Sequence, residues 1–287
     1  MALSERRAEN ENQEERKEYD LSMPKEFCKK MLKGLALPVF ILIIWQFFSY
    51  LGWLNGYLLP PPAQIANRLA IITGSGELLR HVGASLYRVV CGFGLGIVLA
   101  IPLGFMLGLF SGLRSLISPS LGFFQQVPAI AWIPIFILWL GIGEASKIAI
   151  IVYSAFFPIF LNTLHGIANT DPKLKEVAYI YGLSYWSLMT RVYLPSAAPS
   201  VFVGMRLGLS YCWRALVAAE LLGASKGIGY LIQEGREMAQ SDLMLAGVLV
   251  IGLIGLFIDF IFRRLEKRCL PWREKMDRRE APAWPIS

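Results

Sequence analysis

Long uncharged apolar runs alternate with short polar intervals along this chain. Runs over about 37–54, 89–110, 120–140, 146–165, 200–222 and 243–262 approach or reach the length of a membrane-spanning helix, about 20 apolar residues. The pattern predicts an all-α transmembrane protein with six spans in a domain covering 37–265. A charged tail, 1–36, precedes it, with a helix expected near 26–33, and a second tail, 266–287, follows. Leu58-Leu-Pro-Pro-Pro62 is expected not to be helical, and 63–87 reads as one or two short amphipathic helices. The interval 223–242 reads as a loop.

Within the second run Gly92, Gly96, Ala100, Gly104, Gly108 and Gly112 recur every fourth residue. This small-residue stripe lets another backbone approach, either inside the chain or across a subunit contact. Pro102 and Pro158 should kink their helices. The third run mixes Gln125, Gln126, Pro128 and Pro134 with apolar residues, so its backbone needs partners or a water-lined path.

The most structured polar interval is 171–195. Asp171 can cap a helix that has Pro172 in its first turn. Gly182 supplies a left-handed end, Ser184 caps a second helix, and Pro195 closes it. The expected product is a helix–Gly–helix knob. Val177, Ala178, Tyr181, Trp186 and Met189 would give it an apolar surface able to enter a partner's groove.

Charge then orients the chain. Of 287 residues 55% are apolar and 17% charged, below the quarter usual in soluble domains. The net charge of +7 comes from basic residues beside apolar runs, which reads as membrane orientation and not nucleic-acid binding. With a cytoplasmic N-terminus, the inner side holds both tails, Arg114, Lys173, Lys175 and Arg191. The outer side holds only Arg68, Arg80, Arg88, Lys147, Lys226 and Arg236. The positive-inside rule therefore places both termini and the knob in the cytoplasm. Cys28, Cys91, Cys212 and Cys269 lack metal-ligand spacing and read as reduced thiols.

No phosphate-binding G-x-x-x-x-G-K-[ST], H-E-x-x-H or G-x-S-x-G sequence occurs, so the chain is expected to be no enzyme, with no catalytic residue, metal or cofactor of its own. His81 and His165 fall on opposite sides and make no histidine site. Arg214, inside the fifth run, needs a partner or a water-filled path. It either attracts an anion along a path with Trp213, Gln126 and Glu220, or pairs structurally with Glu220, Asp259 or a backbone carbonyl.

Glu176-x-Ala178, then Gly182, then Val192-x-Leu194-Pro195 resembles the coupling loop of binding-protein-dependent ABC importer permeases. That loop reads E-A-A, then Gly four residues on, then I-x-L-P after nine more; Val177 and Val192 are small apolar departures. Val127-Pro128 through Pro134, Leu140-Gly-Ile-Gly143-Glu144, Trp213 to Glu220, Gly227-Ile-Gly-Tyr230 and Pro271-Trp272 resemble the nitrate, sulfonate, taurine and bicarbonate branch. The resemblance implies a six-span type I permease bundle with a cytoplasmic coupling helix pair. It implies a homodimer in the bacterial inner membrane, two ATPase subunits carrying ATP and Mg, and a periplasmic solute-binding protein. The residues it assigns to ATPase coupling are Glu176, Val177, Ala178, Gly182, Val192, Leu194 and Pro195. Its implied cargo is a small anion, taurine or an alkanesulfonate first, with nitrate, bicarbonate and heterocyclic vitamin precursors open. A channel or secondary transporter would share the spans without needing the knob, and a membrane-embedded enzyme would need a reactive cluster.

Overall fold

The computed structural model describes residues 36–271, in two compact units that divide between Asn67 and Arg68. The expected N-terminal tail with its helix at 26–33, Cys28, and the chain beyond Pro271 lie outside the described residues.

The first unit is built on α1 (Ala36–Tyr50). A span was expected over 37–54, but the helix stops at Tyr50, after about 22 Å of rise. Gly52 turns left-handed (φ +72°), and the Trp53 and Leu51 amides close back on Phe48 and Phe47 carbonyls. That is a glycine-dependent helix end, which satisfies the Phe47, Phe48 and Ser49 carbonyls. The Ala63 amide donates to Gln46 Oε1, tying the following Pro-rich turn to α1. The unit boundary falls within α2 (Pro62–Gly74).

The second unit is organised on three long helices: α3 (Glu77–Leu109), α6 (Glu144–Ala168) and α9 (Leu194–Gly223). The amphipathic stretch before the second run joins it, so α3 is one helix of about 50 Å. Both α3 and α6 continue through their internal prolines, Pro102 and Pro158.

The glycine stripe of α3 lies against α6. A Cβ at Gly96 would sit 2.7 Å from Ala155 Cβ, at Gly104 2.7 Å from Phe160 O, and at Gly108 2.7 Å from Ile167 Cβ. The two helices run parallel. On its other side α6 receives α9 antiparallel, with Gly204 against Pro158 and Asn162 and Gly208 against Ile159. Of the two readings of the stripe, packing within the chain is the one observed. Gly112, past the end of α3, faces nothing within 4 Å.

The expected third span is broken. α4 (Ser111–Gln126) and α5 (Ala129–Leu140) meet at 95° across Val127-Pro128. Pro128 holds the residue before it extended, so the helix cannot pass through. The expected loop 223–242 contains α10 (Ile228–Glu237), seated on α11 (Ser241–Cys269) through Gly235 and Gly247. Among the described residues α3, α6, the continuous stretch Tyr185–Gly223 and α11 are long and apolar enough to cross a membrane, and the bent α4–α5 pair adds a fifth crossing if its two halves form one span.

Replacing Gly96 with leucine should overpack the α3–α6 contact and lower stability by about 1–3 kcal/mol. Gly94→Ala, whose Cβ meets nothing within 4 Å, should be neutral or stabilising. Thermal unfolding of the two purified variants checks this.

Candidate functional site

Two polar constructions occupy opposite ends of α9, separated by about 39 Å between Leu194 and Glu220. The first is the knob between α6 and α9. Asp171 accepts from the Lys173 amide (2.9 Å), and Pro172 opens α7 (Pro172–Ile180). Gly182 is left-handed (φ +61°), and the Leu183 amide returns to Ala178 O (3.1 Å). Ser184 then caps α8 (Tyr185–Leu188), accepting from the Ser187 amide.

From there the chain differs from expectation. Pro195 does not close the second helix. A π-helical turn, Met189–Tyr193, leads directly into α9, and Pro195 sits in the first turn of α9. The wider turn suits a proline that offers no amide for the preceding carbonyls. The knob is thus continuous with the expected fifth span, which begins well before residue 200.

The predicted apolar surface is also redistributed. Ala178 (3% exposed) and Met189 (9%) face inward, where α7 meets the π turn. Val177, Tyr181 and Trp186 are exposed, joined by Tyr179 (88%), Ile180 and Tyr185, which the spacing did not single out. Glu176 is exposed on α7 and lines, with Tyr179, Ile180 and Leu188, a cleft of about 560 Å³. Val192 is half-buried, and Leu194 and Pro195 are exposed.

The second construction buries charge. Glu220, 1% exposed, was expected beside a path; it is enclosed instead. Its carboxylate accepts from Arg88 Nη1 (2.6 Å), Ser85 Oγ (2.7 Å) and the Gly229 amide (2.8 Å). Arg88 also grips Glu144 with Nε and Nη2, both at 2.6 Å, and donates to Lys226 O at 2.7 Å. Lys147 approaches Glu144 at 3.3 Å. Ser85 Oγ accepts from the Ile228 amide, and His81 Nδ1 from the Gly227 amide. A Cβ at Gly229 would lie 2.6 Å from Glu220 Cβ, and one at Gly227 would strike the carboxylate itself. Both glycines are therefore required where the loop crosses the acid. His81 is a structural acceptor stacked on Tyr230, and the described residues contain no group of metal ligands.

Arg88 and Ser85 were missed as partners. The sequence did carry a signal: His81, Ser85 and Arg88 fall at four- and three-residue spacing on one face of α3. Arg88 lies 132 residues from Glu220, which no local pattern connects.

The remaining path candidates separate. Arg214 is exposed; its Nε donates to Ser210 O (3.1 Å), and its guanidinium stacks on Tyr211 at 4.9 Å. Of the expected structural partners it takes a backbone carbonyl, while Asp259 pairs with Arg206 (3.0 Å) and Arg263 (2.7 Å). Trp213, 8% exposed, donates its indole N–H to Ile251 O on α11 (3.2 Å) and is a packing residue. Gln126 is exposed at the end of α4, and its neighbour Gln125 lines the adjoining cavities instead.

Removing Arg88 leaves the buried Glu220 carboxylate uncompensated, so Arg88→Ala should destabilise by about 3–5 kcal/mol, and Glu220→Ala, which leaves Arg88 paired with Glu144, by less. Denaturation of the purified variants tests this, with Lys147→Ala, at the weaker contact, expected to lose less.

Residues 95–270 match the family described as binding-protein-dependent transport system inner membrane component. An aliphatic sulfonates transport permease protein of Bacillus subtilis, SsuC, is 38% identical over 86% of this chain and 89% of its own. The taurine transport system permease protein TauC of Escherichia coli is 32% identical over 81% of this chain and 86% of its own. The inward-facing MetNI methionine ABC transporter shares the fold, with a TM-score of 0.57 and 19% identity over 67% of this chain and 95% of that one. With that sequence match laid over a type I importer bundle, the chain belongs to the binding-protein-dependent inner-membrane components, as a multi-pass ABC importer permease and not an enzyme.

Proposed function

We propose that this chain forms the transmembrane path of an ATP-driven importer for a small organic sulfonate, with the knob of α7 and α8 as the seat of a separate ATPase. The observation that carries the reading is the knob itself: aromatic side chains stand exposed on a helix pair that is capped at both starts and turned by a left-handed glycine. Exposed apolar surface of this kind marks a contact with another protein. The sequence contains no phosphate loop, so hydrolysis of ATP with its Mg belongs to the partner.

In the proposed assembly two copies of the chain each seat one ATPase, and a periplasmic binding protein delivers solute at the Glu220 end. The positive-inside distribution supports that orientation, with the knob and the C-terminal tail inside; an N-terminus inside as well requires α1 to make a sixth crossing. Nucleotide closes the ATPase pair and draws the knobs together. Because the knob runs without interruption into α9, its displacement moves a whole helix and the Arg88–Glu220 cluster at the far end. Hydrolysis and release reset the bundle.

Each coupling residue has a physical role in this reading. Glu176 meets basic groups of the ATPase from the edge of the cleft. Val177 and the exposed tyrosines fill its groove. Ala178 and Gly182 set the fold of the knob, and Val192, Leu194 and Pro195 join it to α9. Relatives named for sulfonate and taurine transport favour a sulfonate cargo, and the higher identity to the aliphatic sulfonate permease puts alkanesulfonates ahead of taurine. Nitrate and bicarbonate are the next candidates within the branch.

A Cβ at Gly182 meets nothing within 4 Å, so substitution there acts through backbone conformation alone. Gly182→Val should abolish ethanesulfonate uptake and binding-protein-stimulated ATP hydrolysis while the protein remains membrane-inserted. Gly182→Asn, which tolerates the left-handed region, should keep much of both. Glu176→Arg should behave as the valine variant. Full uptake and stimulated hydrolysis in the Val and Arg variants would remove the knob from the coupling role.

A further inference from the structure

Two cavities on the α4 side of α6 share lining residues. One, about 240 Å³, is lined by Arg114, Ser118, Gln125 and His165 among others; the next, about 360 Å³, by Gln125, Tyr153, Ser154, Asn162 and Tyr211. Gln125, Phe157 and Leu161 belong to both, so the two cavities adjoin in a row along α6, as one interrupted groove. It begins beside Arg114, near the knob end of the bundle, where α3 hands over to α4. It ends at the 95° elbow against α9.

The electrostatics of this groove have one sign. Among the described residues lining it there is no carboxylate, and Arg114 contributes a half-buried guanidinium with no hydrogen-bond or ion-pair partner. At the other end the exposed guanidinium of Arg214 stacks on the wall residue Tyr211. Four carbonyl oxygens at or beside the wall are taken internally by its side chains. Tyr153 donates to Phe124 O, with Val127 O at 3.2 Å; Ser154 donates to Ile150 O (2.9 Å), and Asn162 to Pro158 O (2.8 Å). A cation path would leave such carbonyls open for coordination. Here these four are masked, and the one charged side chain among the described lining residues is the Arg114 guanidinium.

We propose that this groove is a transit site for a small organic anion, with Arg114 as its charge-selecting residue and Gln125 as the amide that hands the anion between the two chambers. The anionic head is held by Arg114 and Gln125, and a short alkyl tail lies on Phe157 and Leu161. This rests on the importer reading above and names the path and the group that chooses the cargo's charge. None of the residues of α4 is fully buried; Leu113, Ile117 and Leu121 rest half-buried on the core, so this wall has fewer enclosed contacts than α6.

The test does not depend on knowing the cargo. In the assembled transporter, Ser118→Cys, or Leu121→Cys as a second position, is reacted with a thiosulfonate reagent bearing an ethylsulfonate and with its trimethylammonium counterpart. Mass spectrometry of the peptide carrying the new thiol gives the rates, each normalised to a free thiol in solution. One-signed clefts concentrate counter-ions by at least about tenfold, so the sulfonate reagent should be favoured by about that factor. Arg114→Gln should remove the preference and Arg114→Lys should keep it, with ethanesulfonate uptake falling in the Gln variant alone. Equal normalised rates, a preference untouched by Arg114→Gln, or a thiol closed to both reagents would overturn the groove. In each of those cases intact binding-protein stimulation of ATP hydrolysis would leave the coupling role of the knob standing.

Discussion

Backbone contact between α3, α6 and α9 is the constraint on which the molecule depends. In lipid there is little hydrophobic gain from bringing helices together, so close packing has to hold them. The glycines at 92, 96, 104 and 108 on α3, and at 204 and 208 on α9, bring both helices onto α6 with almost no side chain between. Where a methyl group would collide with backbone or Cβ at under 3 Å, the contact tolerates neither sliding nor swelling. Three long helices thereby behave as one body.

That body has a handle and a far end. The continuous stretch Tyr185–Gly223 joins the knob to the turn before Gly227 without a break. At the far end Glu220, Arg88 and Glu144 bind α9, α3 and α6 to one another, and the Gly227–Gly229 amides fasten the loop over them. The polar parts thus sit where rigid helices can carry a displacement from one to the other. By contrast α4 has no fully buried residue, while α5 is packed through Ile133 against α6 and α9, and the groove lies along this bent pair.

Local chemistry made much of this legible before any coordinates. Asp171, Pro172, Gly182 and Ser184 specify the knob because each acts within a few residues of itself. The glycine period of α3 foretold a close helix contact, although the partner helix could be found only in three dimensions. Where two local rules competed, the sequence misled. Pro195 was read as a helix stop, but a proline is equally at home in a first turn, and the π-helical turn before it decides the matter. Pro128 worked the other way: prolines were expected inside a span, and this one breaks it. The Glu220 cluster was hidden for a different reason. Its members come from four segments, and a carboxylate at a span edge looks the same whether enclosed or open to a path.

In this account the chain is a conduit that moves only when another protein's nucleotide chemistry moves it through the knob. The direct measurement is flux of a labelled alkanesulfonate into sealed vesicles holding the purified chain. The account predicts no flux from the chain alone, and flux when the ATPase, ATP and the loaded binding protein are all supplied. Steady flux from the chain by itself would contradict it.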